Sequence, residues 1–308
     1  MRMVNFLLTP FKWIFYLLVS IKNYCYHIGL CKKYSFDIPI ISIGNIAFGG
    51  TGKTPMVIHL CEQLKAEGYN PAIISRGYKR QSSELVVVNN GENTIAKVAD
   101  AGDEPYLMST KLGNIPVVVS KKREQAVEHV INNFKNVNVI LLDDGFQYRK
   151  LHRNVDIVLL NGNECSTILR EPKSSLKRAD IVLTVDKKYA ISEFKDGSLT
   201  PAKPTESVYA FCGIAHPNSF LDFLKSEKVE LRWSSIFKDH HDYSDKSMAA
   251  LKNAINQSGS NSIITTEKDL VKLSSDFFKQ YKVYIVTLSI ALKDNTLYNQ
   301  IIKGIKNS

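Results

Sequence analysis

Short runs of apolar residues recur along the chain from residue 38 onward, each bounded by turn-forming or charged residues. In the first two thirds these runs are Ile38–Ile43, Ala72–Ser75, Val117–Ser120, Val137–Leu142, Val155–Leu160 and Ile181–Val185. After the first run, Val57, Leu60, Cys61 and Leu64 follow helical spacing. Repeated strand and helix signals of this kind predict an α/β fold, in which a parallel sheet carries helices on both faces.

The composition changes at residues 196–207, where Gly197, Pro201 and Pro204 lie among small and polar residues. This segment is predicted to be a linker. Four further strand candidates follow it: Val208–Cys212, Glu230–Phe237, Ser262–Thr266 and Val283–Leu288. The pattern therefore divides the chain into an N-terminal helical segment (1–34), a core domain (35–195), the linker (196–207) and a smaller C-terminal α/β domain with its tail (208–308).

The N-terminal segment is predicted to be an amphipathic helix. A narrow polar stripe recurs at steps of three or four on an otherwise apolar background, formed by Asn5, Thr9, Lys12, Tyr16, Ser20 and Asn23. The unbroken apolar run Trp13–Val19 is far shorter than the roughly 20 residues that span a bilayer. The pattern favours a helix lying at a membrane interface. The alternative is a helix buried against the protein's own core.

Net charge changes this picture because it is unevenly distributed. The 308 residues include 40 Lys and Arg against 30 Asp and Glu, a formal net charge of +10. The first acidic residue is Asp37, and the segment before it holds five basic residues, half of the excess. Such a segment is typical of attraction to an anionic membrane surface. Since the chain contains no recognised nucleic-acid motif, nucleic acid is not the expected partner.

A glycine-rich segment carries the first candidate chemistry. Ala47-Phe48-Gly49-Gly50-Thr51-Gly52-Lys53-Thr54 matches a phosphate-binding loop, with Ala47 replacing the usual first glycine. In such a loop the backbone N–H groups wrap the β-phosphate, the lysine reaches the β- and γ-oxygens, and the hydroxyl binds Mg²⁺. A strand precedes the segment and a helix follows it, as this role requires. The segment predicts a nucleoside triphosphate site.

Acidic and basic clusters indicate a metal and a second, anionic substrate. Asp143 and Asp144 end an apolar strand, where one carboxylate is expected to hold Mg²⁺. The other clusters are Gly102-Asp103-Glu104-Pro105, Arg76-Gly77-Tyr78, Arg123, Arg170-Glu171-Pro172 and Asp239-His240-His241. An Asp paired with a His is one way to provide the base that a kinase needs near its acceptor hydroxyl. The spacings that mark guanine-specific GTPases are absent from the sequence.

These blocks, in their order along the chain, closely resemble the tetraacyldisaccharide 4′-kinase (lipid A 4′-kinase) family over residues 38–272. The blocks that carry the resemblance are Gly44-Asn45, Gly49-Gly50-Thr51-Gly52-Lys53-Thr54-Pro55, Ser75-Arg76-Gly77-Tyr78, Gly102-Asp103-Glu104-Pro105, Asp143-Asp144-Gly145-Phe146-Gln147, Leu169-Arg170-Glu171-Pro172, Arg178-Ala179-Asp180, Phe211-Cys212-Gly213-Ile214-Ala215, Asp239-His240-His241 and Thr265-Thr266-Glu267-Lys268-Asp269. The fold implied is that of a P-loop NTPase.

The resemblance implies transfer of the ATP γ-phosphate to the 4′-hydroxyl of an acylated disaccharide 1-phosphate, at the cytoplasmic face of the Gram-negative inner membrane. By similarity, Asp103 is the general base, assisted by His240 or His241, with Lys53 and Asp144 also in the catalytic group. Mg²⁺ or the transferring phosphoryl group would be held by Thr54, Asp143, Asp144, Glu104 and Glu171. Substrate binding or charge stabilisation would fall to Arg76, Tyr78, Arg123, Gln147 and Arg170.

One departure and one alternative accompany this interpretation. Tyr148 stands where the family commonly has a histidine, and no catalytic role is assigned to it. A membrane-associated P-loop ATPase that acts as an assembly or positioning switch would share the phosphate loop and the basic helix. It would not need the carboxylate, arginine and histidine clusters, so ATP consumption that depends on a glycolipid acceptor distinguishes the two.

Overall fold

A computed structural model describes residues 2–47, 49–162, 169–292 and 296–306, with the side chains of all of these except residues 2–12, 275 and 291. The helices are α1 Arg2–His27, α2 Lys53–Ala66, α3 Val98–Ala101, α4 Asp103–Leu112, α5 Arg123–Asn133, α6 Pro217–Ser226, α7 Asp245–Ser258, α8 Glu267–Leu270, α9 Ser275–Phe278 and α10 Thr296–Lys306. The strands are β1 Ile40–Asn45, β2 Pro71–Ser75, β3 Val86–Asn89, β4 Val117–Val119, β5 Val139–Asp143, β6 Val155–Leu160, β7 Ile181–Thr184, β8 Asp186–Lys195, β9 Ser198–Pro201, β10 Val208–Cys212, β11 Leu231–Ile236, β12 Ser262–Thr266 and β13 Lys282–Ala291.

The larger sheet has the strand order β3-β4-β2-β5-β1-β6-β7 within the described ranges, and its pairs are parallel except for the edge strand β3. Successive side chains of β1 pack into hydrophobic cores on opposite faces of the sheet, because side chains alternate across a strand. Ile41 packs with α2, α4 and α10, whereas Ile40 packs with α5 on the other face. The predicted doubly covered parallel sheet is therefore present, and its central strand β1 leads into the phosphate loop.

The smaller sheet has the strand order β11-β10-β12-β13-β8-β9 among the residues that the structure describes. Its first four strands are parallel, and β8 and β9 add an antiparallel edge. Alternate residues of β10 again face opposite cores: Ala210 packs with α6, and Phe211 packs with α7. This sheet is the predicted smaller α/β unit.

Two segments lie in a different unit from the one that the sequence pattern assigns. Strand β8, within the predicted core domain, pairs with β13 of the smaller sheet, and β9 forms inside the predicted linker. Helix α10, placed with the C-terminal domain, buries Leu297, Ile301 and Ile305 in the core of the larger sheet. The reason is that the apolar face of α10 covers β6, which a division by position along the sequence cannot reveal. The domain division otherwise stays a prediction.

Helix α1 lies against the larger domain with Tyr16 and Asn23 of its polar stripe facing the protein, while Ser20 of the same stripe is exposed. Tyr16 Oη accepts a hydrogen bond of 3.1 Å from the backbone N–H of Leu169, and Asn23 Nδ2 donates one of 2.9 Å to Glu171 Oε2. The large apolar side chains Trp13, Leu17 and Leu18 are 61–69% exposed. Asn5, Thr9 and Lys12 of the predicted stripe lie outside the side chains described. Among the described helices, none is long and apolar enough to cross a membrane.

The packing of α10 predicts a specific stability effect. Ile301 is fully buried in the core shared with β6, so Ile301→Ala should lower the free energy of unfolding by about 2–5 kcal/mol. Lys303→Ala changes an exposed position of the same helix and should stay within about 0.5 kcal/mol of the original protein. Urea unfolding followed by fluorescence measures both. Equal stability of the two variants would show that α10 is not anchored in this core.

Candidate active site

The phosphate loop connects β1 to α2 and takes its shape from glycine. Gly49 and Gly52 have φ values of +100° and +91°, in the left-handed region that favours glycine. Gly52 caps α2, so the first backbone N–H groups of the helix face the loop. Asn45 Nδ2 donates to Thr51 Oγ1 at 3.0 Å and fixes the loop to the end of its strand. This is a preformed anion site at a helix N-terminus.

Two carboxylates face this loop from the end of the neighbouring strand β5. Asp144 Oδ1 lies 3.4 Å from Lys53 Nζ, and both of its oxygens accept hydrogen bonds from Arg170 Nη1 at 2.8 and 2.9 Å. Asp143 is buried, and its Oδ2 accepts a hydrogen bond of 2.8 Å from Ser75 Oγ at the end of β2. The predicted meeting of loop, lysine and paired carboxylates is thus observed at one edge of the sheet.

The charges near this edge shift the pKa values of the two carboxyl groups in opposite directions. Burial alone raises the pKa of Asp144, but the cations of Lys53 and Arg170 outweigh it and hold that pKa below its ordinary value. Burial, together with the negative charges of Glu104 and Asp144, raises the pKa of Asp143. A buried carboxyl group surrounded by like charges is stabilised by a cation.

The donor set fits Mg²⁺. Asp143 Oδ1 is buried and has no hydrogen-bond partner, and Thr54 follows Lys53 at the start of α2. No group of three or more His, Cys, Asp or Glu side chains has metal-binding geometry among the residues described. Mg²⁺ uses one or two protein carboxylates and completes its shell with phosphate oxygens and water, so a buried carboxylate near a hydroxyl is a suitable donor set.

Across the cleft from this edge, a histidine of the smaller domain meets a carboxylate of the larger one. Asp103 begins α4, and its Oδ2 lies 2.9 Å from Nδ1 of His240. Burial raises the pKa of Asp103, but the His240 hydrogen bond and the charge of Lys272 more than offset it and lower the pKa to about 2. Asp103 is therefore an ionised acceptor. The ring of Tyr78 packs edge-on against His240, with centroids 5.3 Å apart.

Two lysines that follow β12 complete this arrangement. Lys268 Nζ lies 3.3 Å from His240 Nε2 and 3.0 Å from Glu104 Oε1. An ammonium group only donates, so Nε2 is the acceptor and Nδ1–H faces Asp103. Lys272 Nζ lies 3.5 Å from Asp103 Oδ2 and 3.1 Å from the fully buried Asp269. The ion pairs fix the orientation of both members of the Asp103–His240 pair.

The structure separates the two histidines that the sequence leaves as alternatives. His240 has a φ of +61°, and its backbone N–H donates to Gly213 O at 3.1 Å, which turns its side chain toward Asp103. The His241 ring instead stacks on Phe237 at 4.5 Å and meets Tyr243 edge-on at 4.8 Å. His241 belongs to the aromatic core of the smaller domain, so the histidine beside Asp103 is His240.

Two arginines add positive charge near the carboxylates. Arg123 is buried at the start of α5, with its guanidinium 4.5 Å from the ring centroid of Tyr148. Burial and the neighbouring charge of Arg76 lower the pKa of Arg123, while Asp144 and Asp143 act in the opposite direction. Tyr148 Oη accepts a hydrogen bond of 3.2 Å from the Arg123 N–H. Tyr148 thus supports Arg123, while Arg76 is exposed at the end of β2.

The remaining predicted residues lie at the border of the cluster. Gln147 Nε2 donates to Asn45 O at 2.8 Å and braces the base of the phosphate loop. Glu171 accepts from Arg178 Nη2 at 2.6 Å and from Asn23 of α1, and the described contacts do not join it to Asp143 or Asp144. Ala47 pairs with Leu169 in an isolated antiparallel bridge. Phe48 lies outside the described residues.

Several residues of the site were not predicted. Lys268 and Lys272 were missed, although Lys268 lies in a block that carries the family resemblance. Ser75 likewise belongs to a quoted block, but nothing in its spacing indicates a bond to Asp143. Their signal is spatial, because each contacts a residue at least 60 positions away along the sequence.

A strand–loop–helix unit that presents a glycine-rich loop, with carboxylates at the end of the adjacent parallel strand, defines the chain as a P-loop NTPase-type protein. The comparison with known families is more specific. The family model described as Tetraacyldisaccharide-1-P 4'-kinase, LpxK, matches residues 4–306, and the chain belongs to that family. The resemblance stated from the motifs is confirmed.

Individual relatives agree with this assignment. A Tetraacyldisaccharide 4'-kinase from Halothermothrix orenii is 33% identical, with 98% of this chain and 92% of the relative covered. One from Idiomarina loihiensis is 35% identical, with 94% and 90% covered. A crystal structure of the "apo" form of LpxK from Aquifex aeolicus in complex with ATP superposes with a TM-score of 0.84 at 28% identity, covering 98% of this chain and 99% of that one. The predicted fold class is confirmed.

The contrast between the two histidines gives a direct test. His240→Ala removes the partner of Asp103 and should lower kcat by about 100-fold or more, the usual size of an acid–base contribution. His241→Phe keeps an aromatic ring on Phe237 and should have a far smaller effect. Steady-state kinetics measure kcat for both variants, and melting temperatures equal to that of the original protein show that both are folded. A larger loss for His241→Phe than for His240→Ala, in folded protein, would contradict the assignment.

Proposed function

We propose that this chain transfers the γ-phosphoryl group of ATP to the 4′-hydroxyl of a tetraacyldisaccharide 1-phosphate. Family membership supports the substrate class. The single observation that carries the reaction type is the Asp103–His240 pair opposite the phosphate loop, because an ATPase that acts only as a switch needs no base for an alcohol acceptor. The relative crystallised in complex with ATP supports ATP as the donor.

In the proposed mechanism Asp103 orients the acceptor hydroxyl and takes its proton as the new oxygen–phosphorus bond forms. The bond between the γ-phosphorus and the β–γ bridging oxygen breaks, and ADP leaves. A carboxylate with a pKa of about 2 is a weak base, so its main contribution is to hold the hydroxyl in line. His240 fixes Asp103 through Nδ1, and Lys268 fixes His240 through Nε2.

The surrounding charges divide into two groups with different roles. Lys53 and the loop N–H groups would hold the β- and γ-phosphates, while Arg123, Arg76 and Arg170 would stabilise charge on the transferring group or hold the anionic acceptor. Thr54, Asp143, Asp144 and Glu104 are the residues that would hold Mg²⁺. When bound with ATP, Mg²⁺ neutralises phosphate charge.

The decisive experiment uses the purified full chain, Mg-ATP and tetraacyldisaccharide 1-phosphate in detergent. Mass spectrometry of the lipid should show a gain of one phosphate. Asp103→Asn is the matched variant, since it keeps size and hydrogen bonding but removes the charge. It should lower turnover by about 100-fold or more while the dissociation constant for ATP changes little.

Two outcomes would contradict the proposal. Unmodified lipid in the presence of folded, ATP-binding protein would remove the kinase assignment. Hydrolysis of ATP at the same rate with and without the lipid would instead favour the switch-like ATPase. Near-normal turnover of Asp103→Asn would leave the kinase in place and remove Asp103 from the base position.

We further propose that the outward face of α1 binds an anionic membrane surface, on the side of the membrane where ATP is available. Its apolar residues from Trp13 onward are exposed, while Tyr16 and Asn23 are bonded to the protein. Basic residues without acids accompany this face. An amphipathic helix with these properties lies in the headgroup region and would bring the site to a lipid-linked acceptor.

A pair of charge-matched variants tests this surface. Leu18→Asp places a carboxylate on the outward face, where Leu18 is 61% exposed, and should weaken vesicle binding about tenfold or more. Ser20→Asp adds the same charge on the polar stripe and should weaken binding much less. Flotation with phosphatidylcholine vesicles, with and without phosphatidylglycerol, measures both variants. Equal binding of Leu18→Asp and the original protein would exclude this face.

A further inference from the structure

The smaller domain touches the phosphate loop at a point that the reaction described above does not use. Lys187, the second residue of β8, reaches across to the larger domain, and its Nζ donates a hydrogen bond of 2.7 Å to the backbone carbonyl of Gly50. A Cβ atom placed on Gly52 would lie 3.2 Å from Val185 Cγ2 and 3.6 Å from Lys187 Cε. The connection from β7 to β8 therefore packs directly on the outside of the loop.

A second contact of the same kind lies one residue earlier in the loop. A Cβ atom on Gly49 would lie 2.6 Å from Nε2 of His216, the residue that caps α6. The smaller domain thus contacts three residues of the loop, Gly49, Gly50 and Gly52. At Gly49 and Gly52 these neighbours add to the positive φ values, which already favour glycine.

The direction of the lysine contact matters for the phosphate. In a trans peptide the C=O and the following N–H point in opposite directions. A donor on Gly50 O therefore leaves the N–H of Thr51 on the side of the peptide that faces away from Lys187. A charged donor on the carbonyl also polarises the peptide and strengthens the hydrogen bond that its N–H makes. The Lys187 contact therefore fixes the orientation of the Gly50–Thr51 peptide, and with it the direction of one N–H group of the phosphate loop.

Lys187 makes this contact without an acidic partner among the described residues. Burial lowers the pKa of Lys187, and no acidic group offsets that effect among the described residues. Its ammonium group is therefore directed to the loop without being neutralised by a carboxylate. A cation at this position adds to the positive potential that a triphosphate meets.

We propose that Lys187 is a positioning residue for ATP, which holds the Gly50–Thr51 peptide of the phosphate loop from the smaller domain. The inference rests on the proposed ATP site and not on the identity of the acceptor. It makes nucleotide affinity depend on the contact between the two domains. Separation of β8 from the loop would loosen the peptide and weaken the hold on the phosphates.

Lys187→Met removes the donor and keeps the length of the side chain. It should raise the dissociation constant for ATP, and the KM for ATP, about tenfold, while kcat at saturating ATP stays nearly unchanged. Lys187→Arg keeps a charged donor and should recover most of the affinity. Lys188→Met changes the exposed neighbour on the same strand and should bind ATP like the original protein. Isothermal titration with ATP, without lipid, gives the affinities.

Amide hydrogen exchange separates positioning from a general loss of structure. In Lys187→Met, exchange should accelerate in the peptide that covers residues 49–54 and stay unchanged in the β8 and β13 peptides. Lys187→Gln, whose amide is too short to reach Gly50, should behave the same way if Lys187→Met is poorly folded. Equal ATP affinity for the Lys187 and Lys188 variants would overturn the proposal. Because no acceptor is present, that result leaves the lipid kinase assignment untouched.

Discussion

The hydrogen bond between Asp103 and His240 is the contact on which the rest of the site depends. It joins the first residue of a helix on the larger sheet to a loop of the smaller sheet, so neither unit alone holds Asp103 in this orientation. The loop supplies its histidine through a positive φ and a backbone bond to Gly213. Reactions that must exclude water are suited to a site completed only where two units meet.

Charge compensation explains why so many ionised groups are tolerated in a narrow cleft. Removing a single charge from water is costly, and the cost falls only when a partner of opposite sign is in contact. Asp144 has Lys53 and Arg170, and Glu104 has Lys268. Asp143 is the exception among these three, because burial and the acidic neighbours Glu104 and Asp144 raise its pKa against the opposing charge of Lys53. Of the three carboxyl groups it is the one without an ion-pair contact among the described residues, and the one that a bound metal ion would stabilise most.

Local signals were sufficient to predict ten of the thirteen described strands, all except β3, β8 and β9, as well as the phosphate loop and the paired carboxylates. Each of these depends on residues close together in the sequence. The docking of α10 on the larger sheet could not be predicted for the opposite reason, since Gly304 of α10 and Val155 of β6 meet only after the chain has folded. The same limit applies to Lys272 beside Asp103. Motif spacing left both His240 and His241 possible, and only the direction of each ring separates them.

Glu171 shows how the helix at the N-terminus and the chemistry are physically connected. The preceding residue, Arg170, holds both oxygens of Asp144, and Glu171 itself accepts from Asn23 of α1. A carboxylate already bonded to an amide and to Arg178 has less capacity for a metal ion, but it fixes the Arg170 segment relative to the helix. Because α1 presents its apolar side outward, this segment has a defined orientation to any surface that the helix binds. In the proposed function, one helix would then set both the position of Arg170 and the position of a lipid-linked acceptor.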